Sequence, residues 1–321
     1  MIIKEINPDI HSKYGELLTL YGSLFESPQW LDLFGENIVR YGLYDSGDNL
    51  TGGFSVFSES KYGFSICSNP PLTPWMGPFF RNEAKNPVRA MDKCKQIISL
   101  IAEFIHKMNY AVVSLSFDKK IIDMQPFVWR DFKVITQYTY VMDLALSVGD
   151  IWNNMSSEKR SDINKGTKDG LVVRQVNDFA IVKRLVLKTF LRQNRTINDS
   201  FMNKVLSDFS NDSNSFAFAT FDNGNPIACT FFVRDSKTAY ALLAGYDSEN
   251  KHQCAGALCQ WEAIQYARSL GIPYLDFLGS MVPAIECYQR GFGGKLTPYY
   301  RVNKAKLPFE IALKFFKRRL F

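Results

Sequence analysis

The chain has 321 residues, about twice the usual single-domain length, and 46% of them are apolar, which excludes a mainly disordered protein and allows one or two buried cores. No apolar run approaches the roughly 18 residues needed to span a bilayer, and residues 1–9 lack a basic-then-apolar leader, so a soluble, cytoplasmic protein is expected. The net charge of +6 is local: residues 301–321 hold seven Lys/Arg and one acid, leaving 31 basic against 31 acidic residues before them, so no distributed basic face for DNA is expected.

Taken in chain order, residues 39–44 and 52–58 are apolar stretches joined by the turn composition Asp45-Ser46-Gly47-Asp48, and a third strand over 63–67 follows a break at Ser60-Lys61. Residues 88–108 carry Met91, Cys94, Ile97, Ile98, Ile101, Phe104, Ile105 and Met108 at the spacing of one helical face. Strands follow over 111–117 and 134–144. The second half has the same plan, with a hairpin over 215–221 and 227–233 around Asp222-Asn223-Gly224-Asn225 and a strand over 238–244. A shift of 177 residues lays Asp45 on Asp222, Gly47 on Gly224, Phe54 on Phe231 and Val56 on Val233, as two copies of one unit would, although hairpins in general look alike. Helices are expected over 178–192 and 199–209, each opened by an aspartate, and over 255–270, where Leu258, Trp261, Ile264 and Ala267 form a stripe that Gly271 ends. This alternation, with hairpins outnumbering parallel crossovers, predicts a mixed α+β fold.

Six cysteines are scattered without a C-x-x-C pair and only three histidines are present, so neither a disulfide scaffold nor a metal site is expected. No Ser-His-Asp or Cys-His signature is found.

Three ordered segments carry a family resemblance. The stretch 151–165, with Ile151-Trp152, Lys159-Arg160 and Ile163, is similar to a helix of FemAB-like proteins, tandem-domain relatives of the N-acetyltransferase (GNAT) superfamily. Gly256 to Gly271, then Leu275-Asp276-Phe277-Leu278-Gly279 and Tyr288-Gln289-Arg290-Gly291-Phe292-Gly293-Gly294, resemble the family's C-terminal pattern, and Pro70-Pro71-Leu72-Thr73-Pro74-Trp75-Met76-Gly77-Pro78 resembles its proline-rich segment. The resemblance implies two tandem GNAT-like domains, mixed sheets flanked by helices, here divided as 1–145 and 146–321, the second ending in a basic amphipathic helix. It also implies an acyltransferase that holds an amine against an activated acyl donor and stabilises an oxyanion, with little covalent chemistry of its own.

The candidate site residues follow from those motifs. The donor-binding candidates are Tyr246, Gln253, Gly256 and Ala257. The loop 251–257 is a degenerate form of the glycine-rich loop that opens a helix onto the pyrophosphate of coenzyme A, and Gly256 also fits a glycine that packs a helix on a sheet. The catalytic candidates are Asp276, Tyr288 and His252. Asp276 lies on a buried strand, as a proton acceptor or as a strand-end cap. Tyr288 resembles a tyrosine that protonates the leaving thiolate, one residue out of the usual register, while the FemAB-like pattern makes it the aromatic of an aromatic-lysine pair that packs. His252 suits proton transfer near neutrality, and a solvated loop histidine is the plainer alternative. Substrate-binding candidates are Trp75, as a cleft aromatic or a core one, Lys159 and Arg160, on a basic helix face with Lys165 and Lys168 that is either solvated or meets an acceptor's phosphate or carboxylate, and Gln289, which stands where the family has a lysine. Arg81 lies where peptidoglycan enzymes of the family carry an aspartate.

These features favour acyl-coenzyme A as donor and an amino group of a sugar, peptide or cell-envelope precursor as acceptor. Residues 165–214 are too short and too weakly charged for the helical insertion of the aminoacyl-tRNA-dependent subgroup, so tRNA is the disfavoured donor. An inactive GNAT-fold binding protein is the reading from another class. In the tail, Phe309, Ala312, Leu313, Phe316 and Leu320 recur at helical spacing among Lys314, Lys317, Arg318 and Arg319, so residues 308–321 either dock on their own domain or bind an anionic membrane surface, peripheral to the inner face.

Overall fold

The computed structural model describes residues 1–7, 12–61, 63–250 and 252–316, with the side chain of Phe316 outside the description. The elements are β1 (Ile2–Glu5), α1 (Ser12–Tyr21), α2 (Pro28–Leu31), β2 (Ile38–Tyr44), β3 (Leu50–Lys61), β4 (Phe64–Ser68), β5 (Phe79–Phe80), α3 (Pro87–Lys107), β6 (Val112–Ser116), α4 (Gln125–Val128) and β7 (Lys133–Asp143). They continue with α5 (Val148–Asn154), α6 (Ser157–Lys168), β8 (Val172–Gln175), α7 (Phe179–Arg192), α8 (Asp199–Asn203), β9 (Ser215–Asp222), β10 (Asn225–Arg234), β11 (Thr238–Tyr246), α9 (Ala255–Ser269), β12 (Tyr274–Asp276), α10 (Pro283–Arg290), β13 (Lys295–Ala305) and α11 (Leu307–Phe316).

The chain divides into two compact units, Met1–Gln137 with the segment from Pro298 on, and Tyr138–Thr297. This redraws the expected division at residue 145 and moves the last segment into the first unit. The cause is a strand pairing: β13 runs antiparallel to β6 from Arg301↔Ser116 to Ala305↔Val112.

In the first unit β1, β2, β3 and β4 pair antiparallel in sequence, and β4 then pairs parallel with β6 over Ile66–Ser68 and Val112–Ser114. The parallel step needs a crossover, and α3 supplies it. Pro87 occupies the first turn of α3, and the Asn86 side chain accepts from the Val88 and Arg89 amides. Ile97, Ile98, Ile101, Ala102 and Ile105 then pack on Leu43, Phe54, Val56, Val113 and Leu115. The expected break at Ser60-Lys61 is absent because β3 pairs with β4 as far as Lys61↔Phe64.

The second unit repeats this order. A hairpin, β9 and β10, closes through Asn223 and Gly224, both at positive φ as a two-residue turn requires. β11 follows, α9 crosses, and β12 pairs parallel with β11. The far side of β12 pairs with residues 141–143 of β7, and β8 closes the other edge beside β9. Phe54 and Phe231, Val56 and Val233 are all buried on the equivalent strands β3 and β10. The helix expected over 199–209 starts under Asn198, whose side chain accepts from the Phe201 amide, and gives way to a wider π-type turn over Lys204–Phe209.

In the second unit α7 lies directly on β11. A Cβ built on Gly245 would stand 2.5 Å from backbone atoms of Leu185 and Val186, so this crossing admits no side chain. Gly245→Val is expected to cost about 1–3 kcal/mol through overpacking, read as a lower melting temperature. An unchanged melting temperature would show that α7 is not seated on this strand.

Candidate functional site in the second unit

β11 is the centre of the site. Its pairing with β12 covers only Thr238↔Tyr274, Ala239↔Leu275 and Tyr240↔Asp276, whereas its pairing with β10 runs on to Ala228↔Tyr246. The β10–β11 register slips between Phe231↔Leu243 and Phe232↔Ala241, which leaves Leu242 as a bulge, and a bulge adds local twist. Past Asp276 the chain keeps to β7: the Phe277 amide donates to the Tyr140 carbonyl at 3.0 Å and the Ser280 amide to the Tyr138 carbonyl at 2.9 Å. From Ala241 on, the β12 side of β11 therefore has no ladder partner among the described residues. Such an edge can take an extended, amide-bearing ligand chain.

α9 begins just beyond this edge. Its N-cap position, Cys254, makes no side-chain cap bond, and its first turn holds no acidic residue. The Ala255 amide donates to the His252 carbonyl at 3.0 Å, which leaves the Gly256 and Ala257 amides and the positive end of the helix dipole as a place for an anion. The corresponding start in the first unit is closed, because Asn86 fills the α3 amides and Pro87 has none to offer. Gln253 is exposed, Gly256 is half-buried and Ala257 is buried in the core, so Ala257 can offer a ligand only its backbone. A Cβ on Gly256 would meet only the Tyr288 hydroxyl, at 3.6 Å, so packing does not require a glycine there. Lys251, the first residue of the degenerate loop, lies outside the described residues.

Tyr288 and Lys159 gather at this helix start. The Tyr288 hydroxyl donates to the Gly256 carbonyl at 2.9 Å, and burial pushes the phenol above its ordinary range, with Cys259 and Asp162 adding to the effect. The Lys159 ammonium stands 4.6 Å from the Tyr288 ring centroid and 3.3 Å from an Asp162 oxygen. Its stem covers Gly291, where a Cβ would approach Lys159 Cγ to 2.7 Å. Tyr246, at the end of β11, is fixed by Thr189, whose hydroxyl accepts from the Tyr246 amide at 2.8 Å, and burial raises its phenol pKa.

The other sequence candidates make their bonds to the protein. Asp276 is fully buried; its Oδ1 accepts from the Thr139 hydroxyl at 2.6 Å and the Leu278 amide at 2.9 Å. Together with the bond from the Gly279 amide to Thr139 Oγ1, this clamps a turn in which Leu278 and Gly279 both have positive φ. The geometry is that of a strand-end cap, made on the Leu278 amide. His252 Nδ1 accepts from the Cys254 amide at 3.3 Å, which puts the proton on Nε2, 3.0 Å from Asp169 Oδ2. It thereby ties the loop to the end of α6, with both ring nitrogens engaged.

Arg160 is not presented outward as expected: Nη1 donates to the Asn153 and Met155 carbonyls at the end of α5, where a cation suits the dipole. Gln289 is buried and donates to the Phe277 carbonyl at 3.0 Å, tying α10 to the exit of β12. In the first unit Trp75 is fully buried, with Tyr299 at 5.1 Å and the Lys119 ammonium 4.9 Å from its ring, so it is a core residue and lines no accessible surface.

Sequence reasoning missed Glu26 in the first unit. The pattern Ser23-Leu24-Phe25-Glu26 is a capping box, with Glu26 Oε2 accepting from the Ser23 amide and hydroxyl at 2.7 Å each. Its other oxygen has no hydrogen-bond partner among the described residues. Burial, with the Asp118 carboxylate nearby, pushes the Glu26 carboxyl up to about 7. Among the described residues there is no group of three or more His, Cys, Asp or Glu able to hold a metal.

With this geometry in view, residues 159–290 match the family model described as an acetyltransferase (GNAT) domain. No curated protein matches the chain in sequence. Among solved structures, FemX superposes with a TM-score of 0.67 at 12% identity, covering 98% of this chain and 99% of FemX. The C-terminal domain of a putative lysylphosphatidylglycerol synthetase from Agrobacterium fabrum gives 0.57 at 10% identity, covering 94% and 93%. A tandem GNAT protein from the clavulanic acid biosynthesis pathway gives 0.54 at 8%, covering 94% and 98%. The fold is that of tandem GNAT-like domains.

Glu26 predicts a pH dependence of stability. Its folded pKa of about 7 lies above the ordinary 4.5, so between those values the folded state holds a proton that the unfolded chain releases, and stability falls as pH rises through that window. The loss is about 3 kcal/mol at most. Glu26→Gln keeps the acceptor for Ser23 and should flatten this slope in denaturation from pH 4.5 to 7.5; an equally steep slope in the variant would assign the effect elsewhere.

Proposed function

We propose that this chain, whose residues 159–290 match an acetyltransferase (GNAT) domain model and whose fold resembles that of FemX, is a FemAB-like acyltransferase that transfers an acyl group from acyl-coenzyme A to an amino group of a sugar, peptide or cell-envelope precursor. What carries this is the conjunction in the second unit of an unpaired β11 edge with an uncapped α9 start. The edge suits the amides of the donor's pantetheine arm, and the helix start suits its pyrophosphate.

The acceptor nitrogen attacks the thioester carbonyl, an oxyanion forms, the C–S bond breaks, and the nitrogen's proton must leave as the thiolate gains one. Holding both reactants in place supplies most of what such a reaction needs. Backbone amides of the parted edge are the donors available to the oxyanion. With its hydroxyl engaged by Gly256 and its pKa raised, we assign Tyr288 to positioning the helix start rather than to proton release. Asp276 and His252, committed to protein partners, serve the same architecture.

The name of one structural neighbour, a putative lysylphosphatidylglycerol synthetase, supports an acceptor met at the membrane, and we place the protein in the cytoplasm, peripheral to the inner face. Among the described residues no helix is long and apolar enough to cross a membrane.

Calorimetry with acetyl-coenzyme A tests the donor assignment. We expect binding, weakened at least tenfold by Gly256→Val, whose side chain would stand beside the Tyr288 hydroxyl at the helix start. Binding of charged tRNA without acetyl-coenzyme A would reassign the donor. Binding of acetyl-coenzyme A with no turnover across a broad amine screen would support a binding protein instead.

A further inference from the structure

α11 divides its apolar residues between two opposite faces. At about 100° per residue, Phe309 and Leu313 point one way, while Leu307, Ile311 and Phe315 form a stripe roughly opposite to them. The first face is docked: the Phe309 ring meets the Phe64 ring of β4 at 4.6 Å, and both Phe309 and Leu313 are half-buried. The second face is bare, with Leu307 70%, Ile311 51% and Phe315 83% exposed. Docking therefore accounts for one stripe and leaves the other outward, which differs from the single stripe expected from the sequence. Leu320 and residues 317–319 of that expectation lie outside the described residues.

The surroundings of the bare stripe are basic. Lys306, just ahead of the helix, is exposed, and so is Lys314, which pairs with Glu310 at 2.7 Å. A cavity of about 390 Å³ next to α11 is lined by Lys133, Lys304 and Lys314 against Asp131 and Glu310, an excess of one positive charge. Among the described residues from 301 to 316 the chain carries Arg301, Lys304, Lys306 and Lys314 against Glu310 alone. Aliphatic and phenyl groups in a row among cations suit a surface that is apolar below and anionic above. A second copy of this chain would bring the same positive charge against itself, which disfavours self-association through this face.

We infer that the outward face of α11 is the docking surface through which the protein lies on an anionic membrane, with Leu307, Ile311 and Phe315 entering the acyl boundary and the flanking lysines meeting lipid phosphates. The inference depends on neither the acyl donor nor the acceptor, so it stands or falls apart from the acyltransferase reading. Attraction of lysines to such a surface is screened by salt, whereas the apolar stripe is not.

The test is sedimentation of the full chain with phosphatidylcholine vesicles containing or lacking phosphatidylglycerol, beside the double variant Ile311→Glu/Phe315→Glu. Both positions are exposed, so circular dichroism and the melting temperature should be unchanged. We expect partitioning onto phosphatidylglycerol vesicles that falls at least tenfold in the variant and several-fold between low and physiological salt. In a Phe315→Trp variant, emission should shift to the blue on those vesicles. Absence of binding by the full chain, undiminished binding by the folded double variant, or equal binding to vesicles without phosphatidylglycerol would each overturn the inference. So would a solution dimer that the double variant dissolves, because the face would then belong to a second copy.

Discussion

The second unit depends on where β11 and β12 stop being neighbours. Three residue pairs hold them parallel, and then a bulge at Leu242 turns one strand while hydrogen bonds to Tyr138 and Tyr140 draw the other toward β7. Ala241, Leu242 and Tyr246 on the parted edge are half-buried and Ala244 is exposed, so its backbone groups are open to water or to a ligand chain. The Asp276–Thr139 clamp holds the departing strand in a turn with two residues at positive φ, and Gln289 fastens α10 to the same exit. The bonds of Thr139, Asp276 and Gln289 thus hold β12 on its course away from β11.

Duplication makes the asymmetry between the units informative. Both have a hairpin, a third strand, a crossover helix and a parallel fourth strand. The crossover helix of the first unit begins with Asn86 and Pro87, which close its amides, whereas that of the second begins at Cys254 without a side-chain cap. One copy has spent its helix start on stability; the other keeps it available to an anion. The first unit has instead buried a carboxyl, Glu26, under its proline-rich segment, at a cost in stability that grows with pH.

Local structure was legible in the sequence wherever one period or one turn decides it. The α3 face from Ile97 to Ile105, the Asn223-Gly224 hairpin and the Gly271 stop are local facts and were found. The return of β13 to β6 was not, because an alternating strand does not state its partner. The residue types of the site were legible, but their hydrogen bonds were not: His252 and Asp276 are claimed by Asp169 and Thr139, distant in sequence, and Arg160 by carbonyls at the end of the preceding helix. The tail shows the same limit in another form. Apolar residues on both sides of a helix satisfy more than one stripe, and only the contact between Phe309 and Phe64 tells which side is docked.

If the parted strands are a donor site, the ligand must complete the ladder that β12 leaves unfinished. Amide hydrogen exchange with and without acetyl-coenzyme A reads this directly. The account predicts new protection in residues 241–245 of β11 and at Gly256 and Ala257 of α9, with little change in the start of α3. Unchanged exchange in both β11 and α9 at saturating ligand, or protection confined to the first unit, would contradict it.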